Sequence, residues 1–65
     1  MITSVVRCSN DVVMVFDEEG EQVPEYQGYY SDVRANILRD TPPGTAFSYF
    51  LDAVSGFKDV SREEW

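Results

Sequence analysis

The feature that most constrains the fold is a run of five consecutive apolar residues, which reads Val12, Val13, Met14, Val15, Phe16. In a β-strand the even-numbered side chains of this run point to one face and the odd-numbered ones to the other. A strand with one solvent-facing side normally alternates apolar and polar residues, whereas this run is apolar on both sides. It therefore predicts a central strand, and each face of the sheet needs some cover.

The chain is short, and this limits how it can be stabilised. Its 65 residues suffice for one domain, spanning 1–65, with a thin core. Domains of this size often add disulfides, a structural metal or a partner subunit. The single cysteine, Cys8, cannot form an intramolecular disulfide, and without histidine a Cys/His zinc site is excluded. A partner surface is the remaining option.

The charge and the cysteine content predict the class of partner and the compartment. Twelve acidic residues against five basic ones give a net charge of −7, which opposes binding to nucleic-acid phosphates and to anionic membranes. The scarcity of cysteine favours a reducing compartment, and neither a signal peptide nor an apolar run of the roughly 20 residues needed for a membrane span is evident. We expect a soluble, cytoplasmic protein whose partner is a protein, either another copy of itself or a different one.

Local patterns predict an α+β fold, with a small antiparallel sheet of roughly three or four strands in the order β-β-(β)-α-β. One helix is expected to pack on one face of the sheet. β-Branched residues predict a strand over 2–7, and a short polar turn connects it to the run at 12–16. Residues 45–51 predict the last strand, whereas residues 57–65 follow no clear pattern.

The segment between these strands predicts a turn, a short third strand and the helix. Asp17 and Gly20 favour a turn, and residues 21–23 then form a brief strand that Pro24 ends. Pro24 also suits the first turn of a helix, in which apolar residues recur at spacings of three and four as far as Leu38. Gly28 weakens this helix, so a later start is the alternative.

The face of the sheet opposite the helix is the first candidate site, because an uncovered apolar face usually marks an interaction site. Either of the two faces of the central run, together with Phe50, could form it. The alternative is that the chain's own tail covers it through Phe57, Val60 and Trp65. Three tyrosines on the helix add amphipathic rings that suit an interface, although their spacing is more typical of a core. The candidate surface comprises Val13, Val15, Phe50, Tyr26, Tyr29 and Tyr30.

An acidic cluster in the first half of the chain is the second candidate. Its members are Asp17, Glu18, Glu19, Glu21 and Glu25. Calcium loops need oxygen ligands at alternate positions, followed by glycine and a bidentate glutamate, and this segment lacks that order. The pattern is more typical of a solvated hairpin turn whose like charges oppose aggregation at a sheet edge.

The residue content gives no catalytic motif, so we predict no catalytic, cofactor-binding or metal-binding residues. Cys8 and the serines have no histidine to accept a proton, and no glycine-rich phosphate loop is present. The leading interpretation is a small, acidic, non-enzymatic protein-interaction module, with a homodimer as one form of it. The alternatives are an acidic mimic of nucleic acid that occupies a basic site on its partner, and a binder of a small ligand or Ca²⁺.

Overall fold

A five-stranded mixed sheet and a single α-helix form the fold in the computed structural model, which describes residues 1–65. The elements are β1 (Ile2–Arg7), β2 (Val12–Asp17), β3 (Gly28–Tyr29), α1 (Tyr30–Asp40), β4 (Ala46–Asp52) and β5 (Gly56–Val60), with a short 3₁₀ turn at Pro24–Tyr26. The strand order is β3-β2-β1-β4-β5. β1 and β4 are parallel, and the other neighbours are antiparallel.

This architecture confirms the α+β class but corrects the predicted sheet. The sheet has five strands and is not purely antiparallel. The chain leaves β3 at one edge, runs through α1 and returns beside β1 on the far side of β2, and this crossover makes β4 parallel to β1. The predicted strand over residues 21–23 is reduced to one bridge between Gln22 and Phe16. Residues 56–60, which had no clear pattern, supply the fifth strand.

The helix begins later than Pro24 because the chain first forms a separate turn and a two-residue strand. Pro24 starts the 3₁₀ turn, and α1 begins at Tyr30. Between them Gly28 has a φ of +150°, and a Cβ added there would lie 3.2 Å from Cγ1 of Val33. This close approach of strand and helix requires glycine. The helix ends at Asp40, before the prolines, as the sequence predicted.

The core lies between α1 and one face of the sheet. α1 packs over β2 and β3, where it contributes the buried side chains Val33 and Ile37. From the strands, Val5, Val15 and Phe47 lie side by side on this face because they are register partners. All of them belong to one cluster of eight buried apolar residues. The helix thus covers the β3 half of the sheet but leaves the β4 half without helical cover.

Residues 61–65 cover the other half of this same face. The Trp65 side chain is only 2% exposed, and its ring centroid lies 5.1 Å from those of both Tyr30 and Phe47. Arg62 donates hydrogen bonds to the main-chain oxygens of Leu38 and Thr41 at the end of α1. Trp65 therefore completes the core on the helix side and does not cover the second face of the sheet.

Candidate functional site

The second face of the sheet is lined with apolar side chains, and neither α1 nor residues 61–65 packs on it. We call it the open face. Residues paired across neighbouring strands project to the same side, so the strand registers identify its members. They are Ser4, Val6, Val12, Met14, Phe16, Gln22, Tyr29, Ala46, Ser48, Phe50, Phe57 and Asp59. Asp59 is the only charged residue among them.

Aromatic residues near both edges of the open face are the most exposed of its large side chains. Phe57 in β5 is 63% exposed, and Tyr29 in β3 is 61% exposed. The rings of Phe50 and Phe57 pack against each other at a centroid distance of 5.2 Å. Between the edges Met14 is half-buried, and Val6 in the middle strand is shielded by its neighbours. The open face is therefore a largely apolar floor, interrupted by Ser4 and Ser48 in the middle strands, with aromatic groups on each side.

The structure divides the predicted interaction residues between the two faces. Phe50 and Tyr29 do lie on the open face. Val13 and Val15 are fully buried under α1, so their inclusion in an interaction surface is wrong. The sequence could not resolve this choice because both faces of β2 are apolar.

The other two tyrosines of the predicted surface, Tyr26 and Tyr30, pack partly against the core on the helix side. The Tyr26 hydroxyl donates a hydrogen bond of 2.7 Å to Asp40. The Tyr30 hydroxyl donates one of 2.6 Å to the main-chain oxygen of Trp65 and accepts one from Arg34. Both hydroxyls are thus engaged within the fold, which leaves Tyr29 as the tyrosine that faces outward.

Most of the predicted acidic cluster forms a turn at the end of β2. The Asp17 carboxylate accepts hydrogen bonds from the main-chain N–H groups of Glu19 and Glu21, and Gly20 takes a positive φ of 79°. Glu25 lies apart from this turn, in the 3₁₀ segment. No three acidic or cysteine side chains in the chain gather closely enough to hold a metal ion.

Carboxylates nevertheless stand at both ends of the strands that form the open face. Glu18, Glu19 and Glu21 follow β2 at one end of the sheet. Asp52 ends β4 at the other end, where Asp11 also lies but is paired with Arg7. The open face is therefore an apolar floor with an acidic rim, a pattern that becomes visible only once the strands are placed side by side.

A groove of about 580 Å³ lies at the end of the sheet where the parallel strands β1 and β4 terminate. Its lining residues are Arg7, Cys8, Ser9, Asp11, Tyr49, Phe50, Leu51 and Asp52. Phe50 belongs to both the groove and the open face, so the two are continuous. Cys8 is a half-buried free thiol in the groove wall. No sequence pattern predicts the groove, because its residues come from two segments that are distant in sequence, 7–11 and 49–52.

The guanidinium of Arg7 is already engaged by groups of the fold. Its Nε and Nη2 donate to one carboxylate oxygen of Asp11, at 3.0 and 2.8 Å. The guanidinium carbon also lies 3.6 Å from the centroid of the Tyr30 ring, within the range of a cation–π contact. Asp11 adopts the left-handed conformation that places it there, with φ of 65°. Arg7 and Asp11 therefore neutralise each other in the groove.

The carboxyl of Asp40 has the most strongly shifted pKa in the chain, and hydrogen bonds within the fold cause the shift. Hydrogen bonds from Arg39 and Tyr26 lower the pKa of its carboxyl from 3.8 to about 2. These contacts tie the 3₁₀ turn to the end of α1, away from the groove and the open face.

No helix in the structure combines the length and the apolar character that crossing a bilayer needs. Comparison with known proteins gives no relative, since no family model, curated protein or solved structure matches the chain.

Proposed function

We propose that this protein is a non-enzymatic interaction module that binds a partner protein through its open face. The observation that carries the proposal is the apolar face of the sheet that neither α1 nor residues 61–65 covers, where Met14 and Phe50 are half-buried and Phe57 is exposed. Exposed contiguous apolar surface is rare on monomers unless it is used for binding. Burial of such a floor is favourable in proportion to the apolar area removed from water.

The size of the open face favours one secondary-structure element of a partner over a permanent dimer. The four longer strands, spaced about 4.8 Å apart and about 20 Å long, give a floor on the order of 400 Å². A stable interface buries about 800 Å² on each partner. A single helix, about 10 Å in diameter, would cover about half of a floor of this width, as α1 does on the opposite face.

The charge distribution favours a basic partner. The net charge is −7, and carboxylates stand at both ends of the strands around the apolar floor. Two copies that met through their open faces would bring these acidic rims together, which costs free energy. The occupant that we propose is therefore an amphipathic helical segment of another protein, with an apolar face and flanking lysine or arginine side chains. An acidic mimic of nucleic acid is less well supported, because Asp59 is the only carboxylate on the floor itself.

A designed peptide tests this proposal. A helix-forming peptide of leucine and lysine, with the two residue types on opposite faces, should shift the amide resonances of Val6, Met14 and Phe57. A scrambled peptide of the same composition has the same charge but no apolar face, and it should bind at least about tenfold more weakly. Equal binding of both peptides, or shifts confined to the helix side, would contradict the proposal.

Matched variants and the solution mass complete the test. Phe57→Ser should weaken binding of the amphipathic peptide about tenfold, because it removes an exposed aromatic anchor from the floor. Val54→Ser is the control, since Val54 is 97% exposed in the β4–β5 turn and is not part of the floor. Light scattering should give a monomer at pH 7, and a stable dimer broken by Phe57→Ser would show that the occupant is a second copy.

A further inference from the structure

The groove at the ends of β1 and β4 has an unbalanced negative charge beside aromatic walls. Of its charged residues, Arg7 and Asp11 form an ion pair with an N–O distance of 2.8 Å. Asp52 forms no ion pair. Tyr49 and Phe50 line the same space. A cavity of about 580 Å³ falls in the size range of binding pockets for small ligands and is large enough for one long side chain.

The Asp52 carboxylate is fixed in position and remains ionised. Its Oδ1 accepts hydrogen bonds from the main-chain N–H groups of Val54 and Ser55, at 2.9 and 2.6 Å. These bonds lower the pKa of Asp52 because they favour the charged form. Oδ2 has only a long contact of 3.4 Å with the Ser55 hydroxyl, which leaves it with capacity to accept further hydrogen bonds.

We infer that this groove receives a cationic side chain, arginine or lysine, from the partner segment on the open face. The cation would pair with Oδ2 of Asp52, and its stem would lie against the ring of Phe50 on the open-face side. Aromatic faces attract such cations, and the chain itself packs Arg7 against Tyr30 in this way. The inference rests on the proposed function, because Phe50 connects the groove to the open face. The ion pair with Asp52 would determine how the partner segment is positioned along the open face.

The groove can be tested separately from the open face with a single blocked amino acid. N-acetyl-arginine amide, titrated into the protein, should give saturable shifts of the amide resonances of Cys8, Ser9 and Leu51. N-acetyl-citrulline amide has nearly the same shape without the charge, and it should give at least about tenfold weaker binding. Equal responses to the two probes, or no saturable response to arginine, would overturn the inference.

Asp52→Asn is the informative variant because it removes the charge and keeps the turn. The asparagine side-chain oxygen can still accept the N–H groups of Val54 and Ser55, so the fold is expected to persist. Arginine binding should fall at least fivefold in Asp52→Asn and stay unchanged in Glu63→Gln, which removes the same charge from an exposed position outside the groove. Equal losses of arginine binding in both variants would show that only the net charge of the protein matters, and this would overturn the inference. Amphipathic-peptide binding reports on the open face and binding of the single blocked arginine reports on the groove, so failure of the inference can be distinguished from failure of the proposed function.

Discussion

At the residue scale, Trp65 is the side chain that closes the core. It is the largest of the fully buried side chains and contacts both α1, through Tyr30, and the sheet, through Phe47. Its indole N–H is also the one buried side-chain polar group without a hydrogen-bond partner. The residue therefore combines a large gain from apolar burial with the cost of an unpaired donor.

We expect Trp65→Ala to unfold the protein at room temperature. Truncation of a buried tryptophan costs about 3–5 kcal/mol, which is as much as a core of this size usually supplies. Trp65→Phe should cost only about 1 kcal/mol, because it keeps an aromatic ring and removes the unpaired N–H. Urea unfolding followed by far-ultraviolet circular dichroism measures both.

Phe57→Ala is the control for these substitutions, since it removes an aromatic ring that is 63% exposed. The free energy of unfolding of the Phe57→Ala variant should lie within about 0.5 kcal/mol of the wild-type value. If Trp65→Ala were no more destabilising than this control, the role of Trp65 as the closing element of the core would be refuted.

Single residues also show which features of the structure can be predicted from the sequence and which cannot. The turn at Asp17 and Gly20 was predictable because both residues favour that backbone locally, and the structure has it. The orientation of Val13 and Val15 was not predictable. Both faces of β2 are apolar, and only the position of α1, a contact between distant parts of the chain, decides which face is buried.

At the element scale, residues 61–65 are attached to α1 through Arg62. Its guanidinium donates to the main-chain oxygen of Leu38 and, at 2.8 Å, to the hydroxyl of Thr41. The last carbonyl groups of a helix lack partners within the helix, so this contact satisfies groups that would otherwise need water. It also fixes the segment that brings Trp65 into the core.

Removal of this contact should loosen the helix end and the segment together. We expect Arg62→Ala to lower the free energy of unfolding by about 1–2 kcal/mol and to speed hydrogen exchange at the Thr41 and Trp65 amides. Lys58→Ala removes the same charge from an exposed side chain without ion pairs and should change neither quantity. Faster exchange at Thr41 without any change at Trp65 would show that Arg62 does not couple the two.

The elements that were predicted correctly are those with strong local signals. β1, β2 and β4 follow from β-branched and alternating residues, and the end of α1 follows from the prolines after it. The start of α1 was predicted too early, because Pro24 begins a 3₁₀ turn just as well as an α-helix. β5 was missed because pairing with β4, and not its own pattern, makes residues 56–60 a strand.

At the scale of the whole molecule, the composition predicted an acidic chain that needs a partner surface, but not the arrangement of that surface. The parallel pairing of β1 with β4 depends on the crossover through α1, which joins residues far apart in sequence. The same pairing creates the groove and brings Phe50 onto the open face. The acidic rim likewise results from alignment of the strand ends, so no local window of sequence contains it.

Two global properties act against each other in solution, the apolar open face and the net charge of −7. At neutral pH the negative charge keeps the open faces of different molecules apart. As the pH falls the carboxylates take up protons, and near the isoelectric point of about 4.1 the net charge vanishes. Repulsion is then lost while apolar attraction remains, so the protein should self-associate close to this pH and be monomeric at pH 7.

The open face can be identified as the cause by two variants with the same charge. Phe57→Ser should reduce the light scattered at pH 4.1 well below the wild-type level, because it makes the floor more polar. Val54→Ser removes an even more exposed apolar group, 97% against 63%, outside the floor and should scatter like the wild type. Added salt at pH 7 should promote the same association weakly, because it screens the rim charges over a Debye length of about 8 Å at physiological ionic strength. Scattering that responds equally to both substitutions would mean that association does not proceed through the open face, and the proposed docking surface would lose its main physical support.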